Sequence, residues 1–211
     1  QLRSAVAGFK VGFGATVSAD RVAPLRSLCL DSAKVEIQTA RTIMESMRLM
    51  RVGPEEISRY RDGISINERV PRIADALGAF DRSQPPAEGS AGYIKAVERF
   101  ELHSLSAMGF VWLTTAGARD LTAGTSRSAE VTAGRAYMRL QLKATELGLQ
   151  MHPMSQAPQE FPEMKPHYDR LHQMLLGKSA SEETVQMFCR IGYCENQQHA
   201  PRRPLPDFVK T

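Results

Sequence analysis

Hydrophobic positions set out the elements of this chain before any residue chemistry is considered. The longest helical pattern runs from Val131 to Leu147. Within it Arg135, Arg139, Lys143 and Glu146 are spaced four, four and three apart, so they share one narrow polar strip. The other positions are small or apolar, among them Ala133, Gly134, Ala136, Tyr137, Met138, Leu140, Leu142 and Ala144. So thin a polar face predicts a helix that is mostly buried, by its own domain or by a partner subunit. Gly148 is placed to end it as a C-terminal glycine. Leu149 to Pro153 then continues as a short extended run.

The rest of the chain reads in the same way. Residues 9–17 predict a strand. Asp20 can cap a helix from Arg21 to about Ile37, with Val22, Leu25, Leu28, Cys29, Ala33 and Ile37 as its apolar stripe. A second helical piece covers Thr39 to Met50. Gly53-Pro54 breaks it and opens a short helix at Glu55–Arg61. Asp62-Gly63 predicts a turn and residues 69–80 a short helix. Residues 81–92 (DRSQPPAEGSAG) predict a surface loop. Tyr93 to Met108 predicts a helix, Phe110 to Thr115 a buried strand, and Ala116 to Ser126 a loop. Pro166 to Leu176 predicts a helix and Glu183 to Tyr193 a strand. Three prolines, Pro201, Pro204 and Pro206, keep the tail extended. Helices dominate and three short strands lie far apart, so the expected class is α+β, a small sheet covered by long helices. There are no internal repeats, and residues 1–211 are expected to form a single domain.

Bulk composition narrows the function classes. With 211 residues, 42% hydrophobic and 24% charged, the chain has the balance of a globular protein with a sizeable core. A net charge of +4, spread along the chain, does not point to nucleic acid. No apolar run reaches the roughly 20 residues that span a bilayer. Cys29, Cys189 and Cys194 are too few and too scattered for a disulfide framework and are expected as buried free thiols. The chain begins at Gln1 and passes at once into a strand pattern. That predicts an N-terminal portion ahead of it, with which any targeting signal would have gone. Localisation is therefore not readable, with the cytoplasm as the default.

Hydrolytic and nucleotide motifs are absent: there is no G-x-S-x-G, H-E-x-x-H, P-loop or G-x-G-x-x-G. His167 and His172 stand five apart on one helix, poor spacing for a shared metal, and are expected at the surface. The tail His199-Ala200-Pro201-Arg202-Arg203-Pro204 is more informative. It holds two planar donor forks between prolines, suited to phosphate or carboxylate, or else it is a solvated basic tail. Met151-His152-Pro153-Met154-Ser155-Gln156 follows the long helix and can present backbone N–H groups to a flat ligand, or else it is an ordinary loop. Thr114-Thr115 ends the Trp112 strand. Met44, Met47 and Met50 could line a substrate pocket or pack a core.

Together these segments resemble the C-terminal part of a nitroreductase-family flavoprotein. The resemblance rests on AGRAYMRLQLKATELGLQMHPMSQAPQEFPEM (133–164), FCRIGY (188–193) and APRRPLPDFV (200–209). FVWLTT (110–115) and RTIMESMRLMRVGPEEISRYRDGIS (41–65) support a branch in which His-Pro-x-x-Gln follows the helix. It implies an α+β sandwich, a small mixed sheet between long helices, forming an intertwined homodimer with flavin at the subunit interface. It implies bound FMN, NADH or NADPH as reductant, and a ping-pong cycle that reduces a small-molecule acceptor such as a nitroaromatic or quinone. By the same resemblance Arg203, with Arg202, matches the arginine that grips the FMN phosphate. Pro153-Met154-Ser155 matches the segment that approaches the N5 edge of the flavin ring. Met44, Met47 and Thr115 are the candidates for the acceptor pocket. No catalytic acid–base dyad and no metal are implied, because the chemistry is borne by the flavin. The family's N-terminal arginine motif and its Pro-Ser-x-x-Asn-x-Gln-Pro segment do not occur in these residues. Two alternatives sit on the same fold: a protein that holds flavin without catalysis, and a truncated scaffold without cofactor.

Overall fold

Seven consecutive residues, Gly109 to Thr115, are buried, and this strand is the centre of the fold. An uninterrupted apolar run of this kind belongs to a strand covered on both faces. The computed structural model describes residues 1–117, 124–177, 182–195 and 199–209, with the side chains of 124–126 left aside. In chain order its elements are α1 (Leu2–Ala5), β1 (Gly12–Thr16), α2 (Ala19–Gln38), α3 (Ala40–Arg48), β2 (Met50–Val52), α4 (Gly53–Tyr60) and β3 (Ile64–Ile66). Then come α5 (Arg69–Ala76), α6 (Ala91–Leu105), β4 (Gly109–Ala116), α7 (Gly124–Glu146), β5 (Gln150–Pro153), α8 (Lys165–Leu176) and β6 (Glu183–Gly192). The described residues form two compact units, 1–35 with 97–195, and 36–96 with 199–209.

The first unit is a sandwich. Its four-stranded sheet has the order β1-β4-β6-β5, and every pairing in it is antiparallel. Alternation along β4 sends Phe110 and Trp112 to one face and Val111 and Leu113 to the other. The first face packs against Val22, Leu25, Leu28 and Cys29 of α2 and Leu171 and Leu175 of α8. The second packs against Ala136 and Leu140 of α7 and Val6 after α1. Phe110 and Phe188 stack across the β4–β6 ladder with ring centroids 5.0 Å apart. Gly14 faces Trp112 in the register of β1 and β4, and a Cβ there would lie 2.1 Å from the indole ring. The edge strand can therefore accept a tryptophan opposite it only as glycine.

The second unit is built on a parallel pair, β2 with β3, in the register Met50↔Ile64 to Val52↔Ile66. Ile37, Ile43, Met47, Val52 and Ile66 are its buried apolar side chains among the described residues. Arg82 ties it together. Its two terminal nitrogens donate to the two carboxylate oxygens of Glu56 at 2.8 and 2.9 Å, and it pairs with Asp75 at 3.3 Å. Glu56 Oε2 also accepts the Val52 N–H at 2.8 Å, reaching back over the first turn of α4. These bonds hold the Glu56 carboxyl down at about 2, chiefly through Arg82.

Several expectations are corrected. Among the described residues there are six strands rather than three: the extended run after α7 is paired as β5, and β2 and β3 are each three residues long. The helix predicted for Thr39–Met50 stops at Arg48, and Met50 enters β2. Of the loop predicted for 116–126, residues 118–123 lie outside those described, and α7 has already begun at Gly124. α7 is not mostly buried within the chain: Ala133, Ala136, Leu140 and Ala144 face the core, whereas Val131 is 56%, Met138 54% and Leu142 62% exposed. Gly134 is not crowded either, for a Cβ there would meet no atom within 4 Å. Its end is as expected, with Gly148 at φ +70° and the Leu149 N–H bonded to the Ala144 carbonyl. Cys29 and Cys189 are buried free thiols, both pushed up to about 12 by burial, but Cys194 is exposed.

His172 is the sharpest correction. It was expected at the surface and has no exposed area. Between Leu113 and Thr114 the β4–β6 register shifts, leaving a bulge beside Val185. The Val185 N–H donates to His172 Nε2 at 3.0 Å. Since Nε2 accepts, the ring proton sits on Nδ1, which donates to the Tyr168 carbonyl at 2.8 Å. A neutral imidazole thus bridges α8 and the bulge.

Candidate functional site

The second unit contains a cleft of about 290 Å³, lined by Arg61, Asp62, Gly63, Ser65 and the tail residues Ala200 to Arg203 with Phe208. Its size lies at the lower end of small-ligand pockets. Local chemistry explains how the walls form. α4 ends on Arg61, whose φ of +54° and ψ of +30° place it in the left-handed region and turn the chain sharply towards β3. Opposite, prolines on both sides of Arg202-Arg203 exclude helix and hold the pair extended. A short 3₁₀ turn at Leu205–Asp207 follows and brings Phe208 back. The Arg203 guanidinium lies over the Phe208 ring, 4.6 Å from its centroid.

Charge in the cleft is one-sided. Among the described residues three arginines line it with a single carboxylate, Asp62, which is itself bound by Arg51 Nε at 3.0 Å. Arg51 is held in turn by the Arg48 carbonyl at 2.9 Å and by the Tyr60 ring at 4.5 Å. Asp62 is therefore engaged elsewhere and leaves the arginines as net donors. A planar fork array with the Ser65 hydroxyl beside it suits a tetrahedral oxyanion.

The other sequence candidates fall elsewhere. Pro153, Met154 and Ser155 belong to the first unit, at the end of β5. Met154 is 3% exposed and its N–H donates to the Phe188 carbonyl at 2.8 Å, so its side chain and amide both serve the core. Pro153 carries no N–H. Of the three, the amide left to meet a ligand is that of Ser155, which is exposed. Thr115 is buried in β4, where its Oγ1 accepts from Gln186 at 2.9 Å. Met47 is buried beside Ile43 on α3 and Met44 is half-buried, and neither lines the cleft. Sequence reasoning thus found two of the cleft's three arginines and missed Arg61, Ser65 and Phe208. The residues around Arg61 read as a helix end and turn, and nothing in them signals a partnership with the tail.

No family model matches the chain, and no curated protein matches it. Among solved structures, the chain is similar to the FMN-dependent nitroreductase NfnB from Mycobacterium smegmatis, solved in complex with NADPH. The TM-score is 0.54 at 13% identity, covering 100% of this chain and 85% of that one. It is similar also to a point mutant of the FMN and NADPH-dependent nitroreductase NfnB from Sphigopyxis sp. strain HMH. There the TM-score is 0.53 at 13% identity, with the same two coverages. Likeness at this identity concerns the fold. The chain, a small sheet covered on both faces by long helices, has the nitroreductase-like fold.

Proposed function

We propose that this chain is an FMN-dependent oxidoreductase that uses NAD(P)H to reduce a small organic acceptor, a nitroaromatic, a quinone or a compound of that kind. One observation carries the reading: on a nitroreductase-like fold, the tail arginines Arg202 and Arg203 meet Arg61 in a cleft whose one carboxylate among the described residues, Asp62, is already paired. The donor set fits the phosphate of FMN. Arg203 and Arg202 hold it, with Arg203 steadied on Phe208. In the first unit, taken by itself, the exposed Ser155 amide is a donor suited to the polar edge of a flavin ring, braced from behind by the Met154–Phe188 backbone bond. When bound, FMN supplies the redox chemistry, so the chain's part is to bind, to orient and to exclude water.

A homodimer belongs to the same proposal. Val131, Met138 and Leu142 lie along one exposed side of α7, with Gly134 between them. An apolar stripe with a small residue at its middle fits the close approach of a second helix.

The reading is tested by NAD(P)H oxidation with quinone and nitroaromatic acceptors, together with FMN and riboflavin titrations of Arg203→Ala. Loss of one charge-assisted phosphate contact predicts at least about tenfold weaker FMN binding. Riboflavin, which has no phosphate, should bind the variant and the parent alike. Flavin binding without turnover on any acceptor would favour the flavin-holding alternative. Unchanged FMN affinity would remove Arg203 from the site.

A further inference from the structure

In the first unit, Arg190 of β6 and His152 of β5 are register partners, and Arg190 Nε donates to His152 Nδ1 at 3.0 Å. That bond fixes the tautomer: His152 is neutral, with its proton on Nε2. Arg190 Nη1 donates to the His103 carbonyl at 2.7 Å and to the Ser106 hydroxyl at 2.6 Å, at the C-terminal end of α6. The His103 ring meets the His152 ring edge to face, with centroids 5.0 Å apart. Arg99 lies one turn before His103 on α6 and is exposed. Among the described residues Arg190 has no carboxylate partner, its Nη2 makes no hydrogen bond, and neither ring nitrogen of His103 makes one.

A half-buried arginine ordinarily keeps a carboxylate beside it, because desolvating an unpaired cation costs several kcal/mol. Here its nearest titratable neighbours are two imidazoles and, at longer range, the thiols Cys29 and Cys194. From the geometry we propose that Arg190, His103 and His152, with Arg99 at the rim, form a binding site for a small oxyanion that takes up a proton as it binds. The ligand is the carboxylate, sulfate or phosphate group of a small molecule. Arg190 Nη2 and the His152 Nε2–H are donors as they stand, and the His103 imidazole gains its second N–H donor as it protonates. The site does not rest on the flavin reading.

The proton coupling has a definite sign. Without an anion, burial first, then His152, Arg190 and Arg99, push the His103 imidazole down to about 4, and burial with Arg190 and Arg99 lowers His152 as well. An anion cancels the repulsion and lets the His103 ring charge, while His152 keeps its Nδ1 for Arg190. If a bound anion returned His103 alone to its ordinary value, affinity at about pH 5 would exceed that at about pH 8 by roughly thirtyfold.

The probe is sulfate, whose charge is constant over that range, with formate as the carboxylate arm. Both are titrated against the purified protein while the histidine C2–H resonances are followed by NMR. The proposal expects the His103 and His152 signals to shift saturably, the apparent pKa of His103 to rise with anion, and binding to tighten by ten- to thirtyfold as pH falls. Arg190→Gln should abolish binding. Since Arg190 also caps α6, two milder variants accompany it. Arg99→Ala, at an exposed position, should weaken sulfate several-fold with the fold intact, and His103→Gln should flatten the pH dependence while leaving weak binding. If neither anion moves the two histidines, or if affinity is flat between about pH 8 and pH 5, Arg190 is a helix cap only and the proposal is wrong. A preference of sulfate over formate, or the reverse, decides which oxyanion the site is built for.

Discussion

Replacing His172 by alanine removes the acceptor that the β6 bulge depends on. In the native fold the β4–β6 register slips by one residue at Leu113/Thr114, and beside that slip the Val185 N–H donates to the imidazole Nε2. The side chain has no exposed area, so water cannot substitute. An orphaned buried N–H costs about 1–3 kcal/mol. The emptied ring volume between α8 and the sheet adds a cavity cost, bringing the expected loss to about 3–5 kcal/mol, a large fraction of an ordinary domain's stability. Urea unfolding at neutral pH measures it. His167→Ala on the same helix, at a half-buried position, is the control and should change stability by no more than about half a kcal/mol. A second readout follows from titration. Burial lowers the His172 pKa in the folded state, while the Tyr168 carbonyl and the Asp169, Glu160 and Glu183 carboxylates act the other way. A histidine with a depressed folded pKa contributes stability that is present above its unfolded value and lost as pH falls below about 6.5. His172→Ala should therefore lose stability less steeply on acidification than the parent, with His103 and His152 still contributing the remaining slope. A loss below about 1 kcal/mol, with an unchanged denaturant slope and an unchanged pH profile, would refute the assignment of Nε2 as the acceptor.

Glu56→Gln should destabilise the chain by about 1–2 kcal/mol at neutral pH, a figure reduced for partial solvent screening. Because Glu56 titrates at about 2 in the folded state, the parent's advantage should hold above about pH 4.5 and vanish as pH falls towards 2, as stability curves of the two proteins would show. Gly134→Leu meets open space within the chain, so it should leave thermal stability of the monomer near that of the parent while shifting sedimentation from dimer to monomer. A variant that still sedimented as a dimer would take α7 out of the interface.

What the sequence revealed depended on how local each feature is. The run Phe110–Thr115 was legible because a strand buried on both faces needs no alternation. β2 and β3 were not, since three residues between helical patterns carry no usable period. The burial of α7 was over-read: its apolar residues encircle the helix, but this chain covers only the Ala133–Ala136–Leu140–Ala144 side. For His172 a signal existed. It stands on the stripe Tyr168, Leu171, His172, Leu175, whose apolar members are core, and a histidine in such a stripe is one satisfied in the interior. Arg202 and Arg203 were found because prolines flank them. Arg61 was not, because its link to the tail is made only in three dimensions, through a helix end and a 3₁₀ turn.

The central claim, that the arginine cleft serves a flavin phosphate, is tested most directly by the visible absorption spectrum of the purified protein after incubation with FMN and removal of the free excess. The account predicts flavin bands that stay with the protein, FMN released on denaturation near one equivalent per chain, and a marked drop in retained flavin for Arg203→Ala. A protein that stays colourless after incubation with excess FMN, or one that retains riboflavin as readily as FMN, would contradict it.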